Sequence, residues 1–168
     1  PHRHLHGGRQ CHGDHGAENY AINWIAGFPG KRESRRLIGD YILRESDILE
    51  NRKFDDAVTY GGGNVDLHPI QGFFSGNTPC GPEHGILSPG LYQIPLRCLY
   101  SRNIENLLMA GRNISGDFIA HASYRVTGNS VAMGEAAGVT AALAATTKRL
   151  PQDVPWSEGE AKLKAIRS

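Results

Sequence analysis

Apolar residues lie thinly and irregularly along the first half of the chain and in tight, regular groups along the second. Residues 1–16 are polar, crowded with histidines and without apolar periodicity, and read as loop. In residues 18–25 Tyr20, Ile22 and Trp24 alternate, but so short a window fits a strand or a short helix equally. Pro29 and Gly30 interrupt. In residues 33–43, Leu37, Ile38, Tyr41 and Ile42 fit one helical face, so the spacing predicts a charged helix weakened by Gly39. Residues 46–56 carry the signals of another helix start, with Ser46 as N-cap and Asp47 in a first turn whose dipole its charge complements. Residues 57–60 predict a short strand before a turn at 61–64, and residues 65–68 a second. Residues 72–90, rich in Gly, Pro and Asn, form a long loop.

From Leu91 the pattern tightens. Residues 92–99 are strand-like, with Pro95 placing the strand at a sheet edge. Residues 107–110 predict a short buried strand, 111–116 a turn, and 130–145 a helix lined with Ala and Gly. Pro151 and Pro155 stop any continuation, and residues 157–166 read as a short amphipathic terminal helix. The helix over 130–145 carries Ala132, Gly134, Ala136, Ala137, Gly138, Ala141 and Ala142, so little bulk that it is expected to lie close to a neighbour. Gly128, Asn129 and Ser130 stand at its start, where free amides and the positive dipole end receive an anion or an electron-rich carbonyl. A buried strand turning through glycine into such a helix suits a cofactor. The same features also describe an Ala-rich packing helix with an ordinary Asn or Ser cap.

Composition narrows the function classes. A length of 168 residues means one domain, or one and a fragment of another. Eighteen basic against 17 acidic residues leave a net charge of +1, so no broad field argues for nucleic acid or an anionic membrane as partner. The longest apolar run, residues 139–145, is far below the roughly 20 residues of a membrane span. Residues 1–10 lack the apolar stretch of a secretory signal, so no cellular address is legible. Cys11, Cys80 and Cys98 cannot all pair within the chain and read as free thiols. The set His2, His4, His6, Cys11, His12 and His15 matches no ordered zinc spacing, so no metal site is predicted.

A family resemblance rests on ordered motifs. The run Asn106-Leu107-Leu108-Met109-Ala110-Gly111-Arg112-Asn113-Ile114-Ser115, then Ala120-His121, Arg125-Val126 and Ala132-Met133-Gly134-Glu135-Ala136-Ala137-Gly138, resembles the C-terminal flavin-binding segment of FAD-dependent oxidoreductases. Within them it is similar to a bacterial family sometimes mislabelled xanthan lyase. Gly13-Asp14-His15-Gly16, Pro29-Gly30-Lys31-Arg32-Glu33-Ser34-Arg35-Arg36, Tyr60-Gly61-Gly62, Asp66-Leu67-His68 and Arg97-Cys98-Leu99-Tyr100-Ser101 extend the likeness over most of residues 13–147.

The resemblance implies an α/β fold, the C-terminal part of a flavoprotein of the type with two dinucleotide-binding domains. The N-terminal Rossmann βαβ unit is missing, because no strand here leads into a G-x-G-x-x-G turn and helix. It implies a loop at 1–16, a substrate-side segment at 17–95, a flavin-binding segment at 96–148 and a terminal helix at 149–168. FAD is the implied cofactor, approached by Ala110, Gly111, Arg112, Asn113, Ile114 and Ser115 and by the helix start at Gly128, Asn129, Ser130 and Val131. His121 and Arg125, between those pieces, and His68 are the implied catalytic candidates, each His with hydrogen bonding inside the fold as its alternative role. Arg32 and Arg36 suggest either an anion clamp or a solvated face with Glu33 pairing internally; the resemblance favours an ion-pair network near the site and no catalytic role. A small organic substrate and the remaining N-terminal FAD-binding part of the enzyme are the implied partners. Gly63, the pairs Gly116-Asp117 and Ser123-Tyr124, Phe118 and Asn129 depart from the family pattern, around the presumed substrate side. Hydride transfer between substrate and FAD is the implied function, and a non-catalytic binding or assembly module on the same scaffold is the alternative.

Overall fold

The structure, a computed structural model, describes residues 23–28, 32, 33, 35–66 and 89–168. Its helices are α1 (Glu45–Leu49), α2 (Phe118–Tyr124), α3 (Thr127–Thr147) and α4 (Trp156–Arg167); its strands are β1 (Ala57–Gly61) and β2 (Tyr92–Pro95). Short 3-10 turns stand at Leu96–Cys98, Gly111–Asn113 and Pro151–Asp153. The strands pair antiparallel, with Thr59 opposite Ile94 and Gly61 opposite Tyr92, and the register slips between Ala57 and Thr59. The described residues therefore combine helices with one small sheet, compatible with the α/β expectation in coarse form. The two strands, the Gly111–Asn113 turn, α3 and α4 are all in contact through a core of Leu43, Ile48, Tyr92, Ile94, Leu99, Ile114, Tyr124, Met133 and Trp156.

Among its described residues, the helix predicted over 33–43 does not form. Residues 35–44 contain no helix, and burial alternates: Leu37, Gly39, Tyr41 and Leu43 turn inward while Ile38, Asp40, Ile42 and Arg44 face out. That is the period of a strand, and the backbone bonds across it decide the matter. Leu37 N–H donates to Asn113 O at 2.8 Å, Leu43 N–H to Ser115 O at 3.2 Å and Tyr41 N–H to Arg97 O at 3.2 Å, while Leu43 O accepts from Asp117 N–H at 2.9 Å. Gly39 lies where no side chain fits, since a Cβ there would stand 2.6 Å from Arg97 O and 2.9 Å from Ser115 Cβ. The glycine that seemed to weaken a helix is what lets this segment pass between two loops.

Other boundaries moved for local reasons. Helix α1 starts one residue before Ser46, which is therefore not its cap, and ends at Leu49, soon before Asn51 in the left-handed region at φ 52°. Asp47 sits in the first turn as expected, buried, accepting from Arg44 N–H at 2.9 Å and Tyr41 OH at 2.8 Å. Residues 107–110 form no strand, only one bridge between Tyr100 and Leu108, and residues 65 and 66 carry none either. Residues 23–28 have no regular structure, and the loop at 72–90 lies almost wholly outside the described residues. The strand expected over 92–99 stops at Pro95, which has no N–H for the ladder. The sequence pattern predicts no helix where α2 stands.

Helix α3 is longer than predicted at both ends, and Lys148 closes it at φ 56°. It buries Asn129, Met133, Ala136, Val139, Thr140 and Ala144. Its glycines face the other way: Gly128, Gly134 and Gly138 have nothing within 4 Å of an added Cβ among the described residues. The close approach expected of the small residues is thus made by one face only. The terminal helix matches α4, held to α3 by the Arg167–Glu135 ion pair and to the loop just after α3 by Arg149–Glu158.

The two kinds of glycine predict opposite responses. Gly39→Ala must displace backbone and lowers stability by about 1–3 kcal/mol. Gly134→Ala, in an open helical position, raises it by about 0.5–1 kcal/mol. Denaturant midpoints of the two variants check the signs.

Candidate functional site

The site is built on the loop that leaves the core at Ala110 and re-enters it at Ile114. Gly111 has φ +85°, and a Cβ on it would stand 3.0 Å from Ser130 Oγ and 3.3 Å from Ser130 Cβ. Glycine alone meets both demands, so the turn and the first part of α3 touch backbone to side chain. Ala110 is half-buried and Arg112 and Asn113 are exposed, whereas Ile114 and Ser115 are turned fully into the core. Ser115 N–H donates to Cys98 O at 2.9 Å, and its buried hydroxyl has no partner among the described residues.

Helix α3 opens at Thr127, three residues before its predicted start. Its N-cap is Val126, which has no side-chain oxygen to offer the first-turn amides. The polar residues expected to cap it do other work. Asn129 is buried and its Nδ2 donates to Tyr124 O at 3.3 Å; Ser130 Oγ donates to Val126 O at 3.1 Å. Gly128 and Val131 are exposed. The positive end of a 21-residue helix is therefore left without a side-chain cap beside the Gly111 turn.

Helix α2 links the two pieces. Asp117 caps it, one carboxylate oxygen accepting from Ala120 N–H at 2.8 Å and the other from Glu45 N–H at 2.8 Å. His121, on this helix, is 1% exposed, meets Tyr124 edge to face at 5.5 Å, and has no hydrogen-bond partner on either ring nitrogen among the described residues. Arg125, at the helix end, donates from Nη2 to Asp66 O at 2.6 Å and to Asp66 Oδ2 at 3.3 Å.

One carboxylate from the charged run stands among these groups. Glu33 Oε1 lies 3.3 Å from Arg36 Nη1 and 3.8 Å from His121 Nδ1, and Oε2 lies 3.9 Å from Arg125 Nη1. Arg36 Nη1 also donates to Asp117 O at 3.3 Å. Burial pushes the His121 imidazole below its ordinary value; Glu33 works against this, and Arg36, Arg125 and Arg112 reinforce it. The imidazole is therefore neutral at neutral pH.

The structure thus brings His121 and Arg125 together, and the Gly111 turn against the start of α3; His68 lies outside the described residues, although Asp66, two positions before it, reaches Arg125. Glu33, Arg36, Asp66 and Asp117 were not predicted as site residues. Asp117 had a legible signal, an N-cap residue just before an apolar run. Glu33 and Arg36 do pair, as the ion-pair reading had it. Two departures from the family pattern have structural roles: Ser123 Oγ donates to Gly63 O at 3.1 Å and accepts from Tyr92 OH at 2.9 Å. Among the described residues no three His, Cys, Asp or Glu side chains group as metal ligands, and no helix is long and apolar enough to cross a membrane. The amino-terminal His and Cys run lies outside the described residues.

A family model described as FAD dependent oxidoreductase matches residues 3–165. No curated protein and no solved structure gives a match.

The buried imidazole makes stability depend on pH in a definite sense. Its folded-state value lies below the roughly 6.5 of an unfolded histidine, so between the two values the unfolded chain binds more protons. The folded state is fully favoured above about pH 6.5 and loses stability as pH falls from there toward the folded value. His121→Leu removes that loss, so the fall in urea midpoint between about pH 7.5 and 5.5 is smaller in the variant than in the parent chain; equal falls contradict it.

Proposed function

This chain belongs to the FAD-dependent oxidoreductase family, whose cofactor is FAD, and we propose that it forms the C-terminal lobe of an enzyme moving a hydride between a small organic substrate and that cofactor. The observation that carries the reading is the contact of the positive-φ Gly111 turn with Ser130, beside an α3 start that no side chain caps. A Cβ on Gly111 would fill this cradle, and uncapped first-turn amides suit an electron-rich edge, so the residues fit a flavin nucleotide. Ala110, Gly111, Arg112 and Asn113 would hold the sugar-phosphate side and the start of α3, from Thr127 to Val131, the carbonyl edge of the ring. Ile114 and Ser115 support that turn from the core. The strand and G-x-G-x-x-G turn for the adenosine half are not in these 168 residues and belong, in this reading, to an N-terminal part of the enzyme.

FAD, when bound, supplies the hydride chemistry. The chain's own residues bind, orient and manage protons. Arg125, its guanidinium held by Asp66 and only 10% exposed, binds a carboxylate or other polar oxygen of the substrate. His121, neutral and buried, takes up the substrate proton. His68 follows Asp66 in sequence and is kept as a second acid-base group.

Two outcomes test this. In the complete FAD-loaded enzyme, Arg125→Ala slows flavin bleaching by substrate about 100-fold while FAD content stays near that of the parent; unchanged bleaching removes Arg125 from the site. Gly111→Val, strained at positive φ and crowding Ser130, weakens FAD retention about tenfold in a folded protein. A complete protein that is colourless and ignores added FAD would favour the binding-module alternative.

A further inference from the structure

We propose that Glu33 is a positioning residue for His121 and Arg125, its carboxylate standing between them at 3.8 Å from His121 Nδ1 and 3.9 Å from Arg125 Nη1. The inference rests on the function proposed above and assigns a part in it to a residue that sequence reasoning left in a structural ion-pair network.

Three observations carry it. First, both ring nitrogens of His121 are buried without a partner among the described residues, a state that costs free energy unless something else satisfies them. Second, among the described residues Glu33 is the carboxylate within 4 Å of His121, and a gap of 3.8 Å exceeds a hydrogen bond by less than 1 Å. Closure over that distance makes Nδ1–H the donor to Glu33. That fixes the tautomer in which Nε2 keeps its lone pair and is the proton acceptor. Third, Glu33 is held in place by Arg36, which the extended segment and Asp117 O hold in turn. Glu33 also faces Arg125, so one carboxylate sets the orientation of the base and of the substrate-binding guanidinium together.

Among the described residues the charged groups around the imidazole are Glu33 and Arg36, which precede the extended segment, Arg112 from the turn, and Arg125 from the end of α2; Asp117 caps the helix start and Asp66 faces Arg125. Of these four, Glu33 is the one favouring its protonated form. Neutralising it and neutralising Arg36 must therefore have opposite effects.

The test follows the His121 ring resonances against pH in the full chain, assigned by their loss in His121→Asn. Glu33→Gln lowers the His121 midpoint by about one unit, Glu33→Asp lowers it less, and Arg36→Gln raises it. In the complete FAD-loaded enzyme, Glu33→Gln reduces the rate of flavin reduction about tenfold, moves the acid limb of its pH profile down with the His121 midpoint, and Glu33→Asp restores part of the rate. A His121 midpoint unmoved by Glu33→Gln overturns the proposal, and so does a moved midpoint with an unmoved pH profile. Absence of flavin reduction in the parent enzyme itself sinks the proposed function instead, and the titration still decides whether Glu33 and His121 are coupled.

Discussion

The structure depends on one backbone constraint: an extended segment, residues 37–43, threaded between the loop after β2 and the loop after Met109. Its amides and carbonyls bond to Arg97, Asn113, Ser115 and Asp117, and Gly39 is bare because the facing backbone leaves no room for a Cβ. A slip of one residue would turn Leu37, Tyr41 and Leu43 out of the core. The same segment begins just after Glu33 and Arg36, so the bonds that fix the fold also bring a carboxylate and a guanidinium to helix α2. Fold and candidate site are specified together.

Electrostatics then follow from burial. His121 is packed on Tyr124 inside a helix whose start is capped by Asp117, and it is surrounded by more guanidinium than carboxylate. An imidazole so placed stays neutral, able to accept a proton and unable to compete with the arginines for an anion. Arg125 is fixed by Asp66 on one side and faces Glu33 on the other. In the proposed reaction this divides the labour: the guanidinium binds, the imidazole takes the proton, and the cofactor carries the hydride.

The parts of this that the sequence disclosed are those where local pattern and tertiary packing agree. The long Ala-rich helix, the terminal helix, β1 and the Gly111 turn were legible because periodicity or glycine chemistry is enough to specify them. Residues 37–43 were misread because Leu37, Ile38, Tyr41 and Ile42 match helical spacing, while the bonds that make the segment extended come from residues more than 50 positions away. The start of α3 was placed late because Asn129 and Ser130 are good caps in general. Here the helix continues upstream to an apolar Val126, and their polar atoms bond to Tyr124 O and Val126 O. His121 and Arg125 were found through the resemblance; Glu33 was in plain view in the charged run, but no spacing rule links it to a histidine 88 positions later.

The claim on which the functional account stands is that the Gly111 turn and the uncapped start of α3 hold FAD jointly. Hydrogen–deuterium exchange of the complete enzyme with and without FAD measures this directly. The account predicts that added FAD slows exchange at residues 110–113 and 127–131 together, with α4 unchanged. Slowed exchange at only one of the two segments, or at neither, would contradict it.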